Sequence, residues 1–508
     1  MVKNCIAFTV FVLGCLILLS CGKGDTIQSD IVNNARHAQD FYPEIPIFPR
    51  PLDGDVRMFY DTDVAAIVVG PQFGPGHEGE VWGDSNGRHW AVAVSLAEPQ
   101  QQPNQNRNIT YRFLSYDWGS GEVVSPLLDV TLQPGQGLTL PADVRFARVA
   151  ACWLPFGQAE QPLTAVEVTI VFQAWVSNSW QIGIHRMFFA PADFANIGSI
   201  QPMQGTYTYF IANAPNALMM PDVAYDPRWG EGIQGPFYYG DIYVVYTRQQ
   251  PSSVSEVYGV RGTRLADYPI VISWGTPQLL QWTDHNGFHP RIAIGKCQLF
   301  LVTDFRFAIA YTGVNYEGAD VFRTFVSRGL LANFPTFQDD PIGASHAGGI
   351  PSIDIGPPGT PFGAVAWTQS RSQSWDDVTV AVLDSLGGLH TLHPTPGLLS
   401  SANPSVAVSD TDGPPYEINV SYLMSFNPNS HAWNPAARRL YTPGSQGAET
   451  VLSTTIHGDF DTGSQFTNCY ALATALTVYN DIYWSLWSSR QGNQEGLNQV
   501  HGAYGYNF

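Results

Sequence analysis

Polar and titratable side chains gather just ahead of a recurring apolar segment. Asp84, Arg88 and His89 precede or open its first copy, Arg145 the second, and Asp222 stands in the third. His285 and His289 lead into the fourth, His346 into the fifth, Asn403 opens the sixth, and Asp459 and Asp461 precede the seventh. Brought to one place, imidazoles, guanidinium groups and carboxylates bind a polyhydroxylated ligand or a metal ion. Two carboxyl groups about 5 to 10 Å apart can also hydrolyse a glycosidic bond. No spacing selects such a pair, so no residue is assigned as catalytic. Asp354 is a separate case, because it replaces the small central residue of an otherwise apolar copy. A carboxylate buried there requires a partner, a bound ion or a raised pKa. The expected partner is an adjacent inner strand.

The segments themselves set the architecture. MPDVAYD at Met220, HPRIAIG at His289, IPSIDIG at Ile350 and NPSVAVS at Asn403 share a proline and apolar flanks, with a small centre in all but IPSIDIG, where Asp354 stands. Looser copies are HWAVAVS from His89, ARVAACW from Ala147 and NCYALAT from Asn468. Their centres recur every 53 to 74 residues, the length of a four-stranded unit with variable loops. That period predicts an all-β chain folded as a β-propeller of seven four-stranded blades, each copy being an innermost strand. Blade three reads as PDVAYD, then strands from Asp241, Ser255 and Tyr268; blade five reads as PSIDIG, then strands from Phe362, Asp377 and Leu389. The last blade is too short to be complete, so early strands, among them VRMFYD from Val56 and VAAIVVG from Val64, are expected to pair into it and close the ring. A pair of β-sandwiches would not repeat one strand seven times at this interval.

The amino terminus carries an export signal. Lys3 precedes an apolar run from Ile6 to Leu19, shorter than the roughly 20 residues a bilayer helix needs. The ending Leu18-Leu19-Ser20-Cys21 resembles the lipobox of bacterial lipoproteins. That resemblance implies cleavage before Cys21 and acylation of Cys21, palmitate included, with lasting attachment to a membrane. Gly22 in place of Asp is compatible with an outer-membrane or cell-surface address. The expected organisation is a signal peptide over 1–20, a lipidated proline-rich tether over 21–52 and the propeller over 53–508.

Composition narrows the partners. The formal charge is −19 over 508 residues, a field that repels phosphate backbones, so nucleic acid is not expected. Cys5 and Cys15 leave with the signal, and Cys152, Cys297 and Cys469 fall near inner strands of non-adjacent blades, too far apart for a bridge. They are read as free thiols. No zinc spacing, Walker loop, nucleophile elbow or dinucleotide fingerprint is present. Asp410 and Asp412 before Gly413, and Asp459 with Asp461, resemble half of a calcium loop but lack its other ligands. They read as Asp-stabilised turns, and no cofactor or metal is expected, calcium being the sole ion they would suit. GDSNGRHW from Gly83 is similar to one turn of the sialidase family, keeping Gly87 and Trp90 but not the Ser, Asp and Thr of the pattern. The resemblance implies a glycan-related propeller and brings Arg88, Arg145 and Arg291 into view. WSLW at Trp484, RWG at Arg228 and the tyrosines of YYGDIYVVY are aromatic candidates for sugar stacking or blade core. The function expected is an envelope lipoprotein whose propeller binds a glycan or a protein partner. The alternative is a secreted glycoside hydrolase or sialidase-like enzyme that uses mouth carboxylates.

Overall fold

The computed structural model describes strands and connecting residues between Ile45 and Tyr506. Residues 1–44 lie outside the described residues, as do loop segments, chiefly 68–88, 131–143, 227–239, 409–416 and 459–471. The described chain is almost wholly β. Its strands form seven antiparallel sheets, numbered below in chain order of their first strands, and nearly all run consecutively from inner to outer edge. Those first strands are Met58–Ile67, Val144–Phe156, Leu218–Tyr225, His285–Leu299, Ser352–Ile355, Ser400–Val408 and Leu472–Leu476. Each packs on the first strand of the next sheet, and the last returns to the first, so the sheets surround an axis. This is a β-propeller.

Sheet three contains Leu218–Tyr225, Ile242–Gln249, Ser255–Leu265 and Tyr268–Trp274, and sheet five contains Ser352–Ile355, Gly363–Ser372, Trp375–Leu383 and Leu389–Leu392, as their alternating patterns predict. The first copy is different. HWAVAVS lies in His89–Glu98, which is the second strand of sheet one; the innermost strand is Met58–Ile67. HWAVAVS is apolar with a small centre because Ala91 and Ala93 pack beside Val64 of the inner strand in one buried cluster, whereas the inner strand itself carries Asp61, Thr62 and Asp63. Closure also takes a shorter piece than expected. Among the described residues only Ile45–Phe48 joins the last sheet from the amino-terminal side, pairing with Asn498–Tyr506, so sheet-forming chain lies within the segment read as tether. Val64 belongs to the inner strand of sheet one instead, and Val56 lies outside the described residues.

A local device recurs at the start of the inner strands. Asp61, Phe146, Met220, His289 and Asn403 all have φ between 46° and 54°. At each of them the register with the second strand slips, which is the mark of a β-bulge. A left-handed non-glycine residue costs on the order of 1 kcal/mol, and none of the five is β-branched, the class for which that conformation is worst. Pro221, Pro290 and Pro404 follow three of these bulges directly. Proline suits a position where the ladder is interrupted and an N–H would have no partner. The bulge bends the strand and aims the residue two places on toward its neighbours around the axis.

Candidate functional site: the polar hub at the axis

The residues two places beyond the bulges are Asp63, Arg148, Asp222, Arg291 and Ser405, with Ser352 at the matching place in sheet five. They form a polar hub where the inner strands begin. An innermost strand is a sheet edge, and its inward N–H groups need acceptors that its own sheet does not supply. The preceding strand supplies them. Asp63 Oδ2 accepts from the Val149 N–H at 2.9 Å, and Asp222 Oδ2 from the Ile292 N–H at 2.9 Å. Ser352 Oγ accepts from Val406 N–H at 3.1 Å, and Asp354 Oδ2 from Val408 N–H at 2.8 Å.

Arg148 and Arg291 have no acceptor to offer and turn to carboxylates instead. Arg148 Nη1 donates to Asp61 Oδ1 at 2.8 Å, and Arg291 Nη1 lies 3.6 Å from Asp222 Oδ1. Burial pulls the Arg148 pKa down, but Asp61 and Asp63 outweigh it and hold the guanidinium more firmly protonated. Arg291 goes the other way, lowered by burial and by the charge of Arg148. Burial raises the Asp222 pKa, assisted by Asp63 and opposed by Arg291. These mutual effects place Asp61, Asp63, Arg148, Asp222 and Arg291 within one electrostatic neighbourhood. The hub is not sealed, since the side chains of Arg291 and Asp222 are 20% and 12% exposed.

The other candidates scatter. His289 is the left-handed residue of sheet four; its Nδ1 is 3.5 Å from the Gly349 carbonyl, and burial lowers its pKa to about 4, so it is neutral at neutral pH. Asn403 holds the same place in sheet six and donates its N–H to Thr368 Oγ1 at 3.1 Å. Arg145 stands one residue before Phe146, exposed, with its guanidinium 4.7 Å from the Trp180 ring centre. His285 opens the inner strand of sheet four, but its ring turns into the sheet. Its ring is buried, stacked on Phe325 at 4.1 Å and hydrogen-bonded to Tyr311 Oη at 2.6 Å, while the Tyr311 hydroxyl donates to Asp339. It is a core residue of sheet four. His89 opens the second strand of sheet one, and Asp84, Arg88, His346, Asp459 and Asp461, like Asp410 and Asp412, lie outside the described residues. Asp354 has the partner its position requires, and burial pushes its pKa up to about 7.

A second charged cluster was not visible in the sequence. Glu167 and Arg186 of sheet two and Arg264 of sheet three meet at the interface between the two sheets, each no more than 1% exposed. Glu167 Oε1 accepts from Arg186 Nε and Oε2 faces Arg264 Nη2, both at 2.5 Å. Cys152 is a free thiol beside this cluster, and burial raises its pKa, so it is not a thiolate nucleophile. No group of three or more metal-ligating side chains converges among the described residues. The aromatic candidates Trp484, Trp487, Tyr243 and Tyr246 are buried in the sheets. Among the described residues the exposed tryptophans are Trp175 and Trp282, which sequence reasoning missed.

No family model matches the chain, and no curated protein is similar to it. Among solved structures it is similar to the polysaccharide lyase Uly1, at 9% identity and TM-score 0.42, with 92% of this chain and 100% of that chain covered. It is also similar to a leech intramolecular trans-sialidase, at 9% identity and TM-score 0.37, with 92% and 70% covered. An exo-1,5-alpha-L-arabinanase from a bovine ruminal metagenomic library matches at 11% identity and TM-score 0.25, over 56% and 91%.

Proposed function

We propose that this protein is a lipid-anchored envelope lipoprotein whose propeller, with each of its seven sheets as one blade, is a binding platform for a glycan. The observation that carries the binding reading is the hub. Carboxylates and guanidinium groups from sheets one to four are fixed on bulged strands, and part of that charge is open to solvent. Such fixed donors and acceptors suit a polyhydroxylated ligand, whose hydroxyls exchange hydrogen bonds with both kinds of group. Catalysis fits less well. Asp63, Asp222 and Asp354 each accept a backbone N–H of the neighbouring inner strand, so none is an unoccupied acid or base. Anchoring rests on the lipobox at Cys21 and on the tether that follows it.

The test uses the full chain carrying Cys21→Ser, applied to a glycan array and a hydrolysis panel. Expected is binding without cleavage, weakened by Arg291→Gln at an unchanged melting temperature. Cleavage of a bound glycan would overturn the platform in favour of an enzyme, and absence of glycan binding would favour a protein partner. For the anchor, labelled palmitate should enter the wild-type chain and not the Cys21→Ser variant. Equal labelling of both would remove the lipoprotein reading.

A further inference from the structure

We infer that the mouth end of the junction between sheets two and three carries a sugar-stacking subsite, built from Trp175, Trp180, Arg145 and Gln173, that takes an uncharged pyranoside. This rests on the glycan reading above and names the ligand class. Trp175 and Trp180 face each other directly across the hairpin that joins the second and third strands of sheet two. Their rings meet edge to face, with centroids 5.3 Å apart and planes at 71°. The turn between them holds Asn178 at φ 63°, so the pair sits at a hairpin tip, and Trp175 is 42% exposed. Arg145 lies opposite Gln173 in the ladder, which puts Arg145, Gln173 and both tryptophans on one face of the sheet. That face is the one whose Val171, Ile182 and Ile184 pack on Val223 of sheet three. Gln173 is 3% exposed, and its Oε1 accepts no hydrogen bond among the described residues.

Single exposed hydrophobic residues are ordinary and need no account. These are less ordinary in position. Among the described residues the exposed large hydrophobics are Trp175 and Trp282, and both lie at the end of the propeller where inner strands begin, Trp282 on the link into sheet four. An indole beside a guanidinium and a buried amide oxygen matches the two-sided chemistry of a sugar ring. Its C–H face lies on the aromatic surface, and its hydroxyls reach Arg145 and the Gln173 Oε1. An apolar or lipid ligand would leave that buried amide without a partner. A net charge of −19, with Asp61, Asp63 and Asp222 in the nearby hub, disfavours an anionic polymer.

The decisive experiment is equilibrium binding of the full Cys21→Ser chain to a panel of neutral and uronate-containing oligosaccharides. Neutral ligands should bind, with affinity unchanged between about 50 and 500 mM salt, since no ion pair carries the contact. Trp175→Ala should weaken binding about tenfold or more, equivalent to about 1.4 kcal/mol. Trp175→Phe should keep most of it. If Trp175→Ala and Trp282→Ala bind as wild type while Arg291→Gln does not, the glycan reading survives and this subsite falls. If uronate ligands bind better and salt weakens them, the uncharged class is overturned. If the wild type binds no oligosaccharide, the underlying reading fails as well.

Discussion

Glu167→Gln is expected to destabilise the protein by about 3–5 kcal/mol, the range for breaking a buried pair by removing one partner. The structure explains why the cost should be at the upper end of single substitutions. One carboxylate serves two guanidinium groups, and Glu167, Arg186 and Arg264 are each no more than 1% exposed. Replacing the acid by a neutral amide of the same shape leaves two buried cations facing each other without a counter-charge. With about 2.1 cal/mol/K of unfolding entropy per residue, a body of roughly 460 residues unfolding as one unit loses about 1 kcal/mol per degree near its midpoint. The melting temperature should therefore fall by about 3–5 °C at pH 7. The pH dependence has a definite sign. Burial alone would raise the Glu167 pKa, but Arg186 and Arg264 outweigh it and hold the carboxyl below its usual range. Its contribution is thus present above the unfolded value of about 4.3 and lost as pH falls through the folded value. The gap between wild type and variant should narrow in acid. Calorimetric melts at pH 7 and pH 4 measure both effects. A triple variant, Glu167→Met with Arg186→Met and Arg264→Met, should recover much of the loss, because apolar packing replaces buried ion pairs at little cost. A Glu167→Gln melting temperature within 1 °C of wild type, or a triple variant less stable than the single one, would refute the reasoning.

Two further outcomes follow from the inner strands. Asp354 has its folded pKa raised to about 7, so its contribution to stability is full below the unfolded value of about 3.9 and is lost as pH rises through about 7. Asp354→Asn keeps an oxygen for the Val408 N–H and removes the titration, so its stability relative to wild type should grow from pH 5 to pH 8; a difference that stays constant across thermal melts would count against this. Asp63→Ala should cost about 1–3 kcal/mol in denaturant melts, since it orphans the buried Val149 N–H. Asp63→Asn, which retains an acceptor, should recover most of that, and equal losses in the two variants would sink the account.

How much of this was legible depends on whether a feature is local. The inner strands announce themselves because bulge, proline and small centre all lie within seven residues, as in HPRIAIG and NPSVAVS. Sheet one breaks the pattern by using Asp61-Thr62-Asp63 where sheets three to six have a residue, proline and a polar group, and its second strand HWAVAVS imitates the apolar alternation. Only the left-handed Asp61 tells them apart, and φ is not written in residue type. His285 illustrates the complementary failure. Polar residues ahead of a strand usually sit on a surface, yet this one is drawn under Phe325 and paired with Tyr311 by contacts made across sheet four. Exposure is equally non-local. WSLW at Trp484 and VSNS between Trp175 and Trp180 look alike in aromatic content, but the first crosses a sheet interior and the second turns at a hairpin tip. The turn residues Asn178 and Ser179 were the available signal.

The order of residue types around the axis explains why a ligand can touch the hub only through its exposed part and must gain further binding free energy beside it. Sheets one, three and five present Asp63, Asp222 and Ser352, each able to accept the N–H of the next inner strand. Sheets two and four present Arg148 and Arg291, which cannot. An all-acceptor ring would crowd carboxylates against one another with burial already raising the Asp222 pKa, and an all-arginine ring would leave the inward N–H groups unmet. Interleaving the two lets each arginine offset the carboxylate beside it while alternate junctions are stitched through the backbone. A ligand that broke these bonds would have to replace both a charge partner and a backbone acceptor at once. A sugar competes poorly on those terms, because its hydroxyls are neutral and a neutral hydrogen bond is about half as strong as one to an ionised group. The hub therefore suits a rigid floor touched through the exposed part of Arg291 and Asp222. The part of the Trp175 indole that its edge-to-face contact with Trp180 leaves exposed is a place where binding free energy can be gained without unpicking the ring.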